Sequence, residues 1–161
     1  MTMESDIQKF FQQQITAPLR QQFLEYVEKL KADPQMQIFV KPAAPQLVLK
    51  EQRKQYQTKI MHPICLNDII ERCEAGQYFL TGQFFSALLL ISQNCEYGVR
   101  FSDGKLQFRE LTRALDRMTI DFMNKIGISK REITMLQLPF IRDLALKNYL
   151  DQQLPTVLLK T

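Results

Sequence analysis

Residues 63–98, PICLNDIIERCEAGQYFLTGQFFSALLLISQNCEYG, decide the fold. A shorter helical run over residues 66–74 is followed by Gly76, a residue suited to the end of a helix. A longer run then ends near Gly98, and its apolar stripe recurs at three- and four-residue steps through Phe84, Leu88, Ile91 and Cys95. This spacing predicts two helices and does not show the alternation expected of strands.

Two more stripes with the same period flank this stretch. One begins at Pro18, a favourable first-turn residue, stops at Asp33-Pro34, and consists of Leu19, Phe23, Val27 and Leu30. The other follows the polar turn Ser102-Asp103-Gly104 and ends at Gly127. It consists of Leu111, Leu115, Met118, Phe122 and Ile126. The predicted core is therefore three long helices and one short helix.

Shorter helices are predicted at both ends. A leading helix over residues 5–15 has Ser5 as its candidate cap and one apolar face, made of Ile7, Phe10, Phe11 and Ile15. Near the other end, Ser129-Lys130-Arg131-Glu132 has the form of a capping box, and Pro139 should kink or restart the next helix. The final run, around Phe140–Leu150, either folds back on the bundle or offers an apolar face to a partner. We predict three parts: an extension at 1–17, a bundle at 18–127, and an accessory helix and tail at 128–161.

Residues 34–63 contain four prolines and no sustained period. They predict a long ordered loop between the first two core helices. Connections of this length are usually functional in compact domains, so the segment is a candidate binding site.

Composition narrows the possible functions. The net charge of +4 is mild, and the cysteines Cys65, Cys73 and Cys95 include no CxxC pair. With His62 as the one histidine, the ligand set of a structural zinc site is missing, and the thiols are expected to act as small core residues. His62 has no paired nucleophile and is interpreted as a loop residue. We therefore expect no enzyme activity, no cofactor, and no membrane span or signal peptide.

Several short motifs resemble those of bromodomains. Phe39 and Pro42 match the segment Pro-Phe-x-x-Pro-Val that begins the long loop of that family. Tyr56 and Ile60–Leu66 are similar to its Tyr-Tyr-x-x-Ile-x-x-Pro-Met-Asp-Leu signature, although Cys65 stands in the place of the aspartate and Asn67 is a candidate replacement cap. The pattern then continues without a gap to Cys95, and the resemblance covers roughly residues 19–126.

The resemblance implies an all-α fold, a left-handed four-helix bundle with a long loop between its first two helices and, here, an accessory C-terminal helix. It also implies a pocket in which a tyrosine, aligned with Tyr56, holds a water. In this family an asparagine bonds the acetyl-lysine carbonyl. The family's Asn-Cys-x-x-Tyr-Asn falls on residues 94–99, so Val99 occupies the place of that asparagine and Gly98 that of its tyrosine.

Asn94 is a poor substitute for the missing amide. Five residues of helix correspond to about 7.5 Å of rise and about 140° of rotation, so its side chain should point elsewhere. A one-residue shift in the alignment would place Gly98 in the asparagine position, which also lacks an amide. Valine can neither donate to nor accept from an acetyl-lysine, and an unpaired buried carbonyl costs about 1–3 kcal/mol.

The resemblance and the charge pattern define two candidate surfaces. The candidate acetyl-lysine pocket consists of Phe39, Pro42, Ala43, Leu49, Tyr56, Tyr97, Val99 and Leu106. A four-residue spacing on the third long helix gives a basic stripe formed by Lys105, Arg109, Arg113 and Arg117. The stripe is either a solvated helix face or a weak contact surface for nucleic acid or an acidic partner.

Two functions remain open. The first is a degenerate bromodomain, without canonical acetyl-lysine binding, that acts as a protein-interaction part of a nuclear chromatin complex. The second is an atypical reader of acetylated or otherwise acylated lysine on histones. Val99 favours the first; Phe39, Tyr56 and the long loop favour the second.

Overall fold

The computed structural model describes residues 2–43, 45, 50–98 and 105–160. Its α-helices are α1 Met3–Phe11, α2 Ala17–Ala32, α3 Lys50–Lys59, α4 Leu66–Glu74, α5 Thr81–Gly98, α6 Lys105–Lys125 and α7 Leu138–Lys160. The 3₁₀ turns Pro34–Phe39 and Met135–Gln137 precede longer elements. Over these described ranges there is no β-strand, only an isolated bridge between Gln14 and Leu80. The predicted all-helical class is confirmed.

The four helices α2, α4, α5 and α6 form the bundle, and α5 lies at its centre. It contacts α4, α6, α7 and α1, whereas α2 packs mainly on α4. Burial on several faces explains this position, because the helix contributes a nearly continuous set of buried apolar side chains: Phe84, Phe85, Ala87, Leu88, Leu89, Leu90 and Ile91. The prediction of three long helices and one short helix is confirmed.

Stacked aromatic rings fill the middle of the core. Phe23 of α2 stacks on Phe84 of α5 with ring centroids 4.1 Å apart, and it meets Phe122 of α6 edge-on at 5.9 Å. Rings in these arrangements add attraction beyond the area that they bury. The stripes predicted from the sequence on α2, α5 and α6 therefore meet at one place.

The leading helix differs in its ends from the prediction. The hydroxyl of Thr2, not Ser5, caps it, accepting a hydrogen bond from the Ser5 backbone N–H at 3.1 Å. The helix ends at Phe11, and Ile15 instead donates its backbone N–H to the Phe79 carbonyl at 2.7 Å. Ile15 was expected on the helical face but lies in an extended link, held there by the loop before α5.

The described part of residues 34–63, which leaves out 44 and 46–49, is more regular than the predicted loop. Asp33 caps the first 3₁₀ turn by accepting from the Gln35 N–H at 2.8 Å, and residues 50–59 form α3. The prediction missed α3 because Tyr56 is the one buried residue on this very polar helix, so no apolar period exists. Its lysine, glutamate, glutamine and arginine residues are nevertheless good helix formers.

The predicted capping box at Ser129 is wrong. Residues 128–134 are not helical, because the Asn124 side chain bonds both the N–H and the carbonyl of Ile133, at 2.8 and 2.7 Å, and holds this residue in an extended link. The capping box that forms uses Thr134 and Gln137. Helix α7 then begins with Pro139 in its first turn, as the predicted restart requires.

Helix α7 folds back on α5. Small residues on α5 permit a close approach: a Cβ added at Gly82 would lie 2.7 Å from Asn148 Oδ1 and 2.9 Å from the Phe11 carbonyl oxygen. The Ser86 hydroxyl donates to the Ala145 carbonyl at 2.7 Å. Of the two alternatives for the final helix, packing on the bundle is the one observed.

Candidate functional site

The first part of the candidate pocket comes from the segment after α2. Phe39 ends the 3₁₀ turn and is 5% exposed, within the main hydrophobic cluster. The following Val40 accepts a hydrogen bond from the Asn67 N–H at 3.1 Å, which fastens this segment to the start of α4. Pro42 is exposed and Ala43 is half-buried.

Tyr56 comes from α3 and is 9% exposed. Burial, with smaller contributions from the nearby Cys95 and Cys65, raises the pKa of its hydroxyl to about 12. Cys65 precedes α4 and Cys95 lies near the end of α5. Because Tyr56 is close to both cysteines, it lies near the start of α4 and the last turns of α5. Tyr97, farther along α5, is 39% exposed.

The other pocket candidates are only partly described. Leu49 and Val99 lie outside the described residues. Leu106 lies in the first turn of α6, where the structure describes the backbone and not the side chain. Their predicted membership of the pocket stays a prediction.

The Asn94 amide bonds the backbone of the segment before α4. Its Nδ2 donates to the His62 carbonyl at 2.8 Å, which ties α5 to the segment that leads into α4. The His62 ring in turn meets the ring of Tyr149 on α7 edge-on, with centroids 5.0 Å apart. This asparagine therefore holds one backbone segment to another.

Cys65 precedes α4, and the carboxylate of Asp68 accepts from the Cys65 backbone N–H at 3.1 Å. Asp68, not the candidate Asn67, thus satisfies a backbone donor at this helix start. Cys65 and Cys73 are buried, as expected of small core residues, and burial raises the pKa of both thiols. Metal-ligand clusters of three or more His, Cys, Asp or Glu are absent from the described part of the chain.

A polar network built around the buried Asp116 was not predicted. Asp116 of α6 is 1% exposed, accepts from the Ser92 hydroxyl at 2.7 Å, and pairs with the Arg142 guanidinium of α7 at 2.5 Å. Arg142 also pairs with Glu96 of α5 at 3.0 Å. Burial raises the pKa of Asp116, while Ser92 and Arg142 oppose that shift. The network joins the accessory helix to two bundle helices.

The basic stripe on α6 stays a prediction as a contact surface, although its described arginines are accessible. Arg109, Arg113 and Arg117 are all exposed, and the side chain of Lys105 is not described.

A separate groove of about 580 Å³ lies between α2 and α6 and includes Tyr26, Lys29 and Asp121 in its lining. It contains none of the candidate pocket residues.

None of the helices, as far as they are described, is long and apolar enough to cross a bilayer.

A pH test probes the burial of Tyr56. Its folded pKa of about 12 lies above the ordinary value of 10.0, so the neutral hydroxyl is favoured in the folded state. Its contribution to stability is therefore complete below pH 10.0 and is lost as the pH rises through about 12. We expect Tyr56→Phe to weaken the alkaline loss of stability, measured by denaturant unfolding across this window. Tyr78→Phe is a matched comparison, because burial raises that pKa to about 12 as well. An unchanged pH slope in both variants would contradict this assignment.

The fold and these positions define an all-helical bundle in which a long connection and the end of α5 approach one another. The bromodomain family model matches residues 21–98, just under half of the chain. Two solved structures share the fold. The bromodomain of human BAZ1A is 24% identical with a TM-score of 0.53, covering 66% of this chain and 92% of its own. The bromodomain of PFA0510w from Plasmodium falciparum is 18% identical with a TM-score of 0.55, covering 76% and 93%.

These comparisons show that the chain has the fold of a bromodomain. No curated protein matches it significantly.

Proposed function

We propose that this chain is a non-enzymatic, bromodomain-type protein-interaction module of a nuclear chromatin complex, and that it is degenerate for canonical acetyl-lysine binding. The observation that carries the proposal is the bond from the Asn94 amide to the His62 carbonyl. With Val99 in the place of the anchoring asparagine, Asn94 is the nearest amide along α5, and it is already used to hold the backbone. While this bond is made, Asn94 does not supply the donor that would meet an acetyl carbonyl.

The alternative is an atypical reader of acetylated or acylated lysine on histones. Burial of Tyr56 beside the end of α5 supports it, since a pocket of this kind needs a hydroxyl near its base. An acyl group larger than acetyl gains more from apolar contact, at about 0.8 kcal/mol for each buried CH₂. Such a gain would offset the missing amide.

Titration calorimetry with acetylated, longer-acylated and unmodified histone-tail peptides separates the two. We expect the protein to bind acetylated tails weakly or not at all. Val99→Asn, which adds the amide, should raise the affinity by about 1 kcal/mol, or about fivefold. Val99→Leu is the control, because it changes the size of the side chain without adding a donor.

Three outcomes are decisive. Tight, acetyl-dependent binding by the unaltered protein would overturn the degenerate assignment. Strong preference for a longer acyl group would establish the alternative. A folded Val99→Asn variant that gains no affinity would show that more than the amide is missing, and the interaction would then lie on an outer surface.

The outer surface proposed for a partner is the basic stripe on α6. Three exposed arginines at four-residue spacing suit an acidic protein segment or, more weakly, nucleic acid. The net charge of +4 is too small to make nucleic acid the main partner.

A further inference from the structure

Helix α7 contacts side chains both in the last turns of α5 and in the segment between α3 and α4. Through Arg142 it reaches Glu96 on α5, with one guanidinium nitrogen 3.0 Å from Oε1 and the other 3.4 Å from Oε2. Through Tyr149 it meets the ring of His62, in the segment between α3 and α4. The two contacts are made from one continuous helix, so the two segments share one support.

The two segments are also joined directly. Asn94 lies two residues before Glu96 on α5, and its amide bonds the carbonyl of His62. Three contacts therefore link α7, the segment before α4 and the last turns of α5. They are His62–Tyr149, His62–Asn94 and Glu96–Arg142. Tyr56 lies close to Cys65 and Cys95 in this region, and Tyr97 follows Glu96 on α5.

Helix α7 is itself well anchored. Ser86 bonds its backbone at Ala145, Gly82 admits Asn148 at close range, and Asp116 holds Arg142 from α6. Ends of helices open locally more easily than their centres, so an anchored neighbour that contacts the last turns of α5 restricts that opening.

We propose that Arg142 and Tyr149 are positioning residues that hold the last turns of α5 and the segment 60–65 in their mutual arrangement. Their importance for ligand binding rests on the proposed function, because these segments border the candidate pocket. The positioning itself does not depend on any ligand. The accessory helix α7 then helps to position the residues of the candidate site.

Amide hydrogen exchange on the full chain tests the proposal. Glu96→Ala removes one link while leaving the Arg142–Asp116 pair in place, and it should speed exchange at residues 94–97 by about two- to fivefold. His62→Ala removes the ring contact but keeps the carbonyl that Asn94 bonds. It should speed exchange over residues 60–65 by about two- to tenfold. Glu71→Ala, an exposed change on α4, should leave both regions unaltered.

The pattern of exchange separates positioning from general stability. A purely structural effect would speed the slowest, globally opening amides by a common factor, whereas the proposal requires localised changes. Unchanged exchange at residues 94–97 in Glu96→Ala would overturn it. Localised changes together with no acylated-peptide binding, even by Val99→Asn, would leave the positioning intact and would count against a peptide-binding pocket.

Discussion

Arg142→Met will lower the free energy of unfolding by about 3–5 kcal/mol. The substitution leaves the Asp116 carboxylate, 1% exposed, without its cation while Ser92 still donates to it. Breaking a buried ion pair from one side has this magnitude because an uncompensated charge stays in the interior. Denaturant unfolding measures the loss, and Arg113→Met on the exposed face of α6 is the matched control.

The pH dependence of this variant gives an independent check. Burial already raises the pKa of Asp116, and removing Arg142 takes away an interaction that opposes the rise. With the folded pKa above the unfolded value, the protonated acid is favoured in the folded state. The variant should therefore recover stability as the pH falls toward the Asp116 pKa. In Arg142→Met/Asp116→Asn this recovery should disappear, and much of the loss at neutral pH should be restored. A loss of less than about 1 kcal/mol in the single variant would mean that the pair behaves like an exposed salt bridge.

The network around Asp116 could not be predicted because its members are far apart in the chain. Arg142 lies 26 residues from Asp116 and 46 from Glu96. Each of the three has an ordinary surface interpretation when it is considered within its own helix. A charged residue becomes recognisable as buried only when the packing of α7 on α5 and α6 is known.

The long helices were predictable because each buries a stripe of several apolar residues. In α2, for example, Phe23, Val27 and Leu30 are all buried, as their spacing indicated. Helix α3 shows where this approach fails, since a helix that buries only Tyr56 leaves no period to detect. Its content of good helix formers was the available signal. The Ser129 motif failed for a different reason: a tertiary contact from Asn124 took precedence over local capping chemistry.

The candidate site stays a prediction, although the structure describes some of its residues. The motif spacing selected Phe39 and Tyr56 as pocket candidates, and both side chains are buried. Spacing also indicated that Asn94 points elsewhere, and the structure identifies His62 as its partner. The contribution of α7 was missed because the resemblance to bromodomains ends near residue 126, so the family pattern carries no information about this helix.

The leading helix provides the second large prediction: Phe11→Ala will destabilise the protein by about 3–5 kcal/mol. Phe11 is fully buried, and its ring stacks on Phe85 of α5 with centroids 5.8 Å apart. Truncating such a ring removes its burial and leaves a cavity that the surroundings fill only partly. Backbone bonds from Thr81 to Gln13 and from Ile15 to Phe79 keep α1 close to α5, which limits that relaxation.

Phe79→Ala is the matched control for Phe11→Ala, because the Phe79 ring is 70% exposed. Its loss should stay within about 0.5 kcal/mol, the usual range for surface substitutions. The comparison also tests the boundary predicted between residues 17 and 18. If α1 were an appendage to an independent bundle, Phe11→Ala would cost no more than Phe79→Ala, and the bundle would unfold at an unchanged denaturant midpoint. A large difference between the two would mean that the N-terminal helix shares the hydrophobic core of the bundle and unfolds with it.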